Sequence, residues 1–380
     1  MADSSHAARW ISQLEGLGWD LYLFPADPLK FAPVTPLFAE RAPSMRLLGE
    51  SQLPVFGPIL AAQLQLRKPG WRVRAWLLAR AIRKLRPDII HSLEIQHAGY
   101  LVHTASLLLG RIFPTWIVSN WGSDTYIFGR TREHRDRLQA VFAACDYYTS
   151  ECKRDIEPAR QLGFGGTVLP VLPAAGGLDI TALQRFRQPG PVAARRVIAV
   201  RGYHHWAGRS LVALRAIERA ADVLRDYRIV VYRPSAEVPL AVELLVDRTQ
   251  LDVEILEYGP QENIWRLFGS ARALVAQSIG DGISTSMLEA ITMGAFPIQS
   301  NTSCANEWLD DGRTGILVEA EDPEDAERAI RRVVADDHLV EAAAAANFET
   351  VMQRLDIQAV RPKVIEMYES VLADVAAQPP

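Results

Sequence analysis

Short runs of β-branched and aromatic residues alternate along this chain with longer stretches whose apolar positions recur every three or four residues. This is the pattern of βαβ units and a parallel sheet. In the first half the predicted strands are 20–24, 88–92, 115–119, 146–150 and 167–172; in the second they are 196–201, 228–233, 252–258, 272–276, 296–300 and 315–318. Between the two series the chain is rich in Pro, Gly and Ala and reads as a linker. The predicted division is a first domain at 1–173, a linker at 174–194, a second domain at 195–355 and a final amphipathic stretch at 356–380 that can cross back to the first lobe. The expected fold class is α/β, with two Rossmann-like doubly wound lobes and a cleft between them. The first lobe opens oddly, with a loop around His6 and a helix at 7–17 ahead of any strand. Its opening strand is missing from the pattern, which would leave unpaired edges in the sheet. A start codon placed late and a genuine loss of that strand both fit, and the former is preferred.

With 380 residues, 49% hydrophobic and 23% charged, the chain has the balance of a globular enzyme of two to three domains, which excludes long disorder, collagen and coiled coil. Cys145, Cys152 and Cys304 have no CxxC spacing, so neither a disulfide framework nor a cysteine-rich zinc site is expected, and the cytoplasm is the expected compartment. The longest charge-free apolar stretch, between Glu94 and Arg111, is too short to span a bilayer. The net charge of −4 is unevenly divided, with 20 Lys+Arg against 15 Asp+Glu up to residue 175 and 21 against 30 beyond it. The cations concentrate at 67–86, where Arg67, Lys68, Arg72, Arg74, Arg80, Arg83, Lys84 and Arg86 occur with Trp71 and Trp76 and no acid. On a helical wheel Leu77, Leu78, Ala81, Ile82 and Leu85 share one side, while Trp76 falls among the cations on the other. A core-packed helix with a solvated basic face accounts for this. So does a peripheral contact with anionic lipid at the inner face of the cell membrane, serving a lipid-linked acceptor. No nucleic-acid recognition module accompanies the patch.

The most informative segment runs from Ser278 to Ser300. A predicted strand enters a Gly-containing turn, a helix starts near Ser284, and a second strand follows at Phe296. The carboxyl edge of an open parallel sheet is where ligands bind, and the free N–H groups of a helix start suit a phosphate. Asp281 and Glu289 stand eight apart, one at the loop mouth and one inside the helix. Ser286-Met-Leu-Glu289 also matches a capping box, which needs no ligand.

The whole segment resembles the carboxylate-x7-carboxylate motif of retaining glycosyltransferase family 4. Its following run is represented by Glu289-Ala290, Gly294, Phe296-Pro297 and Gln299-Ser300, and the likeness continues through Glu307, Gly312 and 314–318. The resemblance implies a GT-B fold, with the second lobe binding a nucleotide-sugar and the first the acceptor. It also implies that Glu289 holds the donor ribose and Asp281 the sugar hydroxyls. Gly282, Ile283 and Ser284 would supply N–H groups near the sugar, and Ser286 and Met287 near the diphosphate. The first carboxylate is usually Glu, so the shorter Asp281 implies a different sugar placement or identity. The segment 201–209 resembles the family's pair of diphosphate-neutralising cations: Arg201 fits the first, and Arg209 stands in for a lysine whose position falls on Ala207.

In the first lobe, 119–124 follows a predicted strand, and Trp121 occupies a place where relatives often carry a histidine beside the sugar. Asn120, Trp121 and His6 are the acceptor-side candidates. Asp124 would orient the acceptor hydroxyl or cap the next helix, and the sequence does not choose. His91 and His97 read as structural. No Asp-x-Asp spacing occurs, so no metal is expected on the diphosphate, no cofactor is expected, and charge neutralisation falls to Arg201, Arg209 and helix dipoles. Nor is there a G-x-G-x-x-G after a strand, a Walker motif or a Ser/His/Asp elbow. The reading is a retaining, metal-independent glycosyltransferase moving a sugar from a UDP- or GDP-sugar to a hydroxyl of a glycan or lipid-linked acceptor. The alternatives are a GT-B epimerase and a degenerate protein that binds nucleotide-sugar without catalysis.

Overall fold

In the computed structural model, residues 5–26, 42–48 and 69–377 are described. Arg67 and Lys68 of the basic stretch lie outside them. The alternating pattern does give parallel sheets. The chain divides into one unit of residues 1–177 and 360–380 and a second of residues 178–359.

The first unit contains β1 (Tyr22–Leu23), β2 (Arg46–Leu47), β3 (Ile89–Leu93), β4 (Thr115–Asn120), β5 (Tyr147–Ser150) and β6 (Thr167–Val168). These strands form two separate parallel sheets, β1-β2 and β3-β4-β5-β6. Among the described residues no strand precedes the helix Ser5–Ser12. Its Ala7 and Ala8 pack against Leu23 of β1 and Leu93 of β3, so small residues on one helix touch both sheets. The run 167–172 shortens to two strand residues because Pro170 has no N–H to offer, although Leu169 and Leu172 still donate to the Tyr148 and Ser150 carbonyls. The helix Ile357–Ala377 lays Val364, Met367, Tyr368 and Val371 against Trp10, Leu14, Ile117 and Tyr147.

In the second unit, β7 (Val197–Arg201), β8 (Arg228–Tyr232), β9 (Asp252–Leu256), β10 (Ala273–Ala276), β11 (Phe296–Ser300) and β12 (Ile316–Val318) form one parallel sheet in the order β12-β11-β10-β7-β8-β9. Alternate residues Ile198, Val200, Ile229, Val231, Ala273, Val275, Phe296 and Ile298 share a core with Leu214 and Ile217 of the helix Ser210–Arg219 and Ile330 and Val333 of the helix Pro323–Ala335. Each large side chain buried there contributes roughly 1.5–3 kcal/mol. The strand order reverses between β7 and β10, and the crevice at that switch point is where a doubly wound sheet presents its ligand site.

The stretch expected as a linker is folded. From Leu178 it belongs to the second unit, with a short helix at Ile180–Leu183 and with Ile180, Leu183, Phe186 and Val192 buried. Its apolar residues at three-residue spacing outweigh the Pro and Gly content that suggested an open spacer. Cys145, Cys152 and Cys304 are all buried. Among the described residues no helix is long and apolar enough to cross a membrane.

Candidate functional site

At the switch point of the second unit, the loops after β7 and β10 are tied together: Arg209 N–H donates to the Gln277 carbonyl at 3.0 Å and Ile279 N–H to that of Ala207 at 2.9 Å. Arg201, the last residue of β7, thereby faces the mouth of the loop after β10, where its Nη1 lies 3.2 Å from Asp281 Oδ2. Burial works against the Arg201 charge, but Asp281 together with Tyr232 and Tyr203 offsets it and holds the guanidinium pKa above its ordinary value. Its Nε is buried and has no hydrogen-bond partner among the described residues. An unsatisfied cationic donor is costly in the interior unless something accepts from it. Asp281 also accepts from the Gly282 N–H at 3.0 Å.

The helix Thr285–Thr292 begins at this loop. Ser284 is its N-cap, accepting from the Met287 N–H at 3.3 Å. Ser286 lies inside the first turn, so the capping box read for Ser286 and Glu289 does not form. Glu289 is only 2% exposed, and its Oε2 accepts from Gln261 Nε2 at 3.0 Å. Gly282, Ile283 and Ser284 are buried beside Asp281 in sequence, while Ser286 is partly exposed and Met287 fully buried. The carboxylates eight residues apart thus have different surroundings, Asp281 against a cation at the loop mouth and Glu289 inside, against an amide.

Arg209 is placed differently from Arg201. Its Nε pairs with Glu321 Oε1 at 2.8 Å, and its Nη1 donates to the carbonyls of His205, Ala207 and Gly208 at 3.3, 3.4 and 3.0 Å. The guanidinium braces its own loop ahead of the helix Ser210–Arg219 instead of meeting Asp281. Both arginines nonetheless act on His205, whose pKa is lowered by burial and by Arg201 and Arg209, against the opposing pull of Asp281.

The first unit assembles its own polar group at the ends of β3 and β4. Asp124 Oδ2 accepts from the Trp121 N–H at 2.9 Å and the Ile95 N–H at 3.3 Å, tying the two loops together. It provides no side-chain cap for the helix Ser123–Tyr126, whose N-cap is Gly122. Burial, and then the nearby Glu94, push the Asp124 pKa well above the carboxylate range. His6 meets the Trp121 ring edge-on at 6.0 Å. Asn120 turns elsewhere, donating to Asp155 Oδ2 at 3.0 Å and Ser150 Oγ at 3.3 Å. His91 is an interior residue between Tyr368 and Ser119.

Two residues escaped the sequence reading. Glu94 follows β3 with φ of 87° and accepts from the His97 and Ala98 N–H groups at 2.8 and 2.6 Å. Gln261, the first residue of the helix Gln261–Ser270, contacts Glu289. Both stand just past a strand's carboxyl end, the one signal that could have found them.

The family model described as Glycosyl transferases group 1 matches residues 239–349, and that described as Glycosyl transferase 4-like matches residues 59–150. Among solved structures, a glycosyltransferase of Rickettsia africae is similar at a TM-score of 0.68 and 13% identity, over 97% of this chain and 94% of that one. Sucrose-phosphate synthase of Thermosynechococcus elongatus is similar at 0.70 and 14%, over 96% and 92%. HepE of Anabaena, solved with UDP, is similar at 0.70 and 13%, over 97% of each chain. These likenesses establish the GT-B fold. No curated protein matches the sequence.

Proposed function

The chain belongs to the group 1 glycosyltransferases, and from that premise we propose that it transfers a sugar, with retention and without a metal, from a UDP- or GDP-sugar to an acceptor hydroxyl. The observation that carries this reading is the Arg201–Asp281 pair at the switch point, with the Arg201 Nε buried and unsatisfied among the described residues. A diphosphate oxygen would accept from that Nε, and the N-terminus of the helix carrying Glu289 would add its partial positive charge. As the glycosidic bond breaks, negative charge grows on the leaving diphosphate, and a fixed guanidinium stabilises the transition state more than the ground state. In this reading Glu289 accepts from the ribose hydroxyls and Asp281 from a sugar hydroxyl. Arg209 supports the reaction by holding the loop after β7 in shape, while Asp124 and Trp121 line the acceptor side.

A thermal-shift panel of nucleoside diphosphates and their sugars tests the donor. A ligand bound only by the folded state at about 100 times its Kd stabilises by roughly 2.7 kcal/mol. UDP or GDP should raise the unfolding midpoint, with no added effect of Mg²⁺ or EDTA on transfer; a panel in which neither nucleotide shifts the midpoint removes the donor assignment. Tight donor binding with no transfer to any acceptor would point to a non-catalytic protein.

The helix Pro69–Leu85 supports a membrane-side acceptor. It buries Ala75, Leu78, Ala79 and Ile82 against Tyr100, Leu101 and Ala105. It exposes Arg72, Trp76, Arg80, Arg83 and Lys84, with Trp76 53% exposed one turn from a cation on either side. Trp71 turns inward to Thr104 Oγ1, at 3.2 Å. Each cation near an anionic surface contributes about 1 kcal/mol. Trp76→Ala with Arg80→Glu should therefore lower co-sedimentation with anionic vesicles roughly tenfold or more. Equal binding to anionic and neutral vesicles, or no change in the double variant, would remove the membrane contact.

A further inference from the structure

The buried carboxylate of Glu289 takes a hydrogen bond from outside its own helix. Gln261 Nε2 donates to its Oε2 at 3.0 Å, and Gln261 Oε1 in turn accepts from Arg233 Nη2 at 2.6 Å. The three residues come from three different strand ends. Arg233 follows β8, Gln261 opens the helix after β9, and Glu289 lies in the helix after β10. The backbone holds the first of them firmly. Arg233 has φ of 50°, a left-handed conformation that its side chain does not favour. On either side of it, the Tyr232 carbonyl accepts from the Gly202 N–H at 2.8 Å and the Ser235 N–H donates to the Gly202 carbonyl at 2.9 Å. A Cβ on Gly202 would stand 2.7 Å from Pro234 Cα, so only glycine permits this approach. The loop that carries Arg233 is thereby fixed to the residue after Arg201.

An amide has an accepting and a donating end of nearly the same shape, and by itself it can present either one to Glu289. A guanidinium only donates. With Arg233 on the far side, the Gln261 oxygen must face the arginine and its NH₂ must face the carboxylate. The flipped amide would set oxygen against carboxylate and NH₂ against guanidinium, two repulsions in place of two hydrogen bonds. We propose that Arg233 and Gln261 are positioning residues that fix the Glu289 carboxylate for the ribose of the donor, so that recognition of the ribose hydroxyls depends on residues that need not touch the nucleotide. This rests on the assignment of Glu289 to the ribose.

The test compares binding of UDP and GDP with binding of their 2′,3′-dideoxy forms, by titration calorimetry, in the wild type and in Gln261→Ala, Gln261→Glu and Arg233→Ala. Hydrogen bonds to a charged group are strong enough that loss of the hydroxyls should weaken wild-type binding on the order of tenfold to a hundredfold. In Gln261→Ala and Arg233→Ala that ratio should shrink at least about fivefold. In Gln261→Glu it should shrink further, because a second carboxylate then faces Glu289. An acid in the first turn suits the helix dipole, so Gln261→Glu should keep its helix and its unfolding midpoint. For donor turnover, the expected change is a raised KM with kcat largely kept. The ratio is taken within each variant, so a general loss of affinity cancels. A wild type that discriminates, with variants that keep its ratio, overturns the relay and leaves the ribose assignment standing. A wild type that binds both forms equally overturns the ribose assignment and the relay with it. No binding of either nucleotide overturns the donor reading as a whole, and this inference falls with it.

Discussion

Arg201→Ala should slow sugar transfer at least ~100-fold, the usual cost of losing one pre-organised contact to charge that develops in a transition state. The residue stands at the end of a buried central strand, so its guanidinium is fixed by the sheet before any donor arrives. Fixed charge needs no reorganisation during the reaction, which is why its removal should lower kcat as well as affinity. The substitution also removes the cation 3.2 Å from Asp281, so that this carboxylate stands beside the expected diphosphate without the guanidinium between them. Arg201→Lys separates these effects, because an ammonium keeps the charge but lacks the planar fork, and its rate should fall between wild type and alanine. Glu289→Ala should lose a comparable factor with a larger share in donor KM, since a ribose contact is made before and during the chemistry. Steady-state kinetics with the donor varied give both numbers. Unchanged turnover in Arg201→Ala and Glu289→Ala together would falsify the assignment of this site.

How far the sequence carried depends on whether a residue's role is set by its own neighbours or by a distant chain. The strand–turn–helix–strand character of 278–300 is local, and the structure reproduces it with Ala273–Ala276, Thr285–Thr292 and Phe296–Ser300. The Arg201–Asp281 contact was within reach for a similar reason, since both residues sit at strand ends that a doubly wound order brings together. Arg209 shows the opposite case. Two residues from the expected lysine position it looked like a substitute, but its Nη1 is engaged by loop carbonyls within four residues of it and its Nε by Glu321, more than a hundred residues away. Glu94 was invisible because nothing in a lone acid predicts a positive φ, and Gln261 because an amide beside a carboxylate leaves no trace in periodicity or spacing. The folded stretch 178–194 failed for a third reason. Its composition was averaged over the window, while its few apolar residues at the right spacing decided the outcome.

Acid should weaken the first unit through one histidine. Trp10 Nε1 can only donate, and it does so to Tyr368 Oη at 2.9 Å. The Tyr368 hydroxyl then gives its own proton to His91 Nδ1, 2.5 Å away, leaving Nε2–H to donate to Ser119 Oγ at 2.6 Å. A protonated ring would have two donors and could no longer accept the Tyr368 proton, and burial lowers the His91 pKa from 6.5 to about 3. The folded state thus keeps the ring neutral where the unfolded chain would protonate it. Its contribution to stability is complete above pH 6.5 and declines as pH falls toward 3, at about 1.4 kcal/mol per unit. Between pH 7 and pH 4 the loss from this group amounts to about 3 kcal/mol. His91→Gln cannot titrate, yet retains one donor and one acceptor. It should be less stable than wild type at pH 7 and should recover about 3 kcal/mol relative to it at pH 4. Native-state hydrogen exchange of the β3 and β4 amides reads the first unit without interference from the second. Parallel pH slopes in the two proteins would mean that His91 is protonated in the fold and that the chain from Trp10 through Tyr368 to Ser119 runs in another direction.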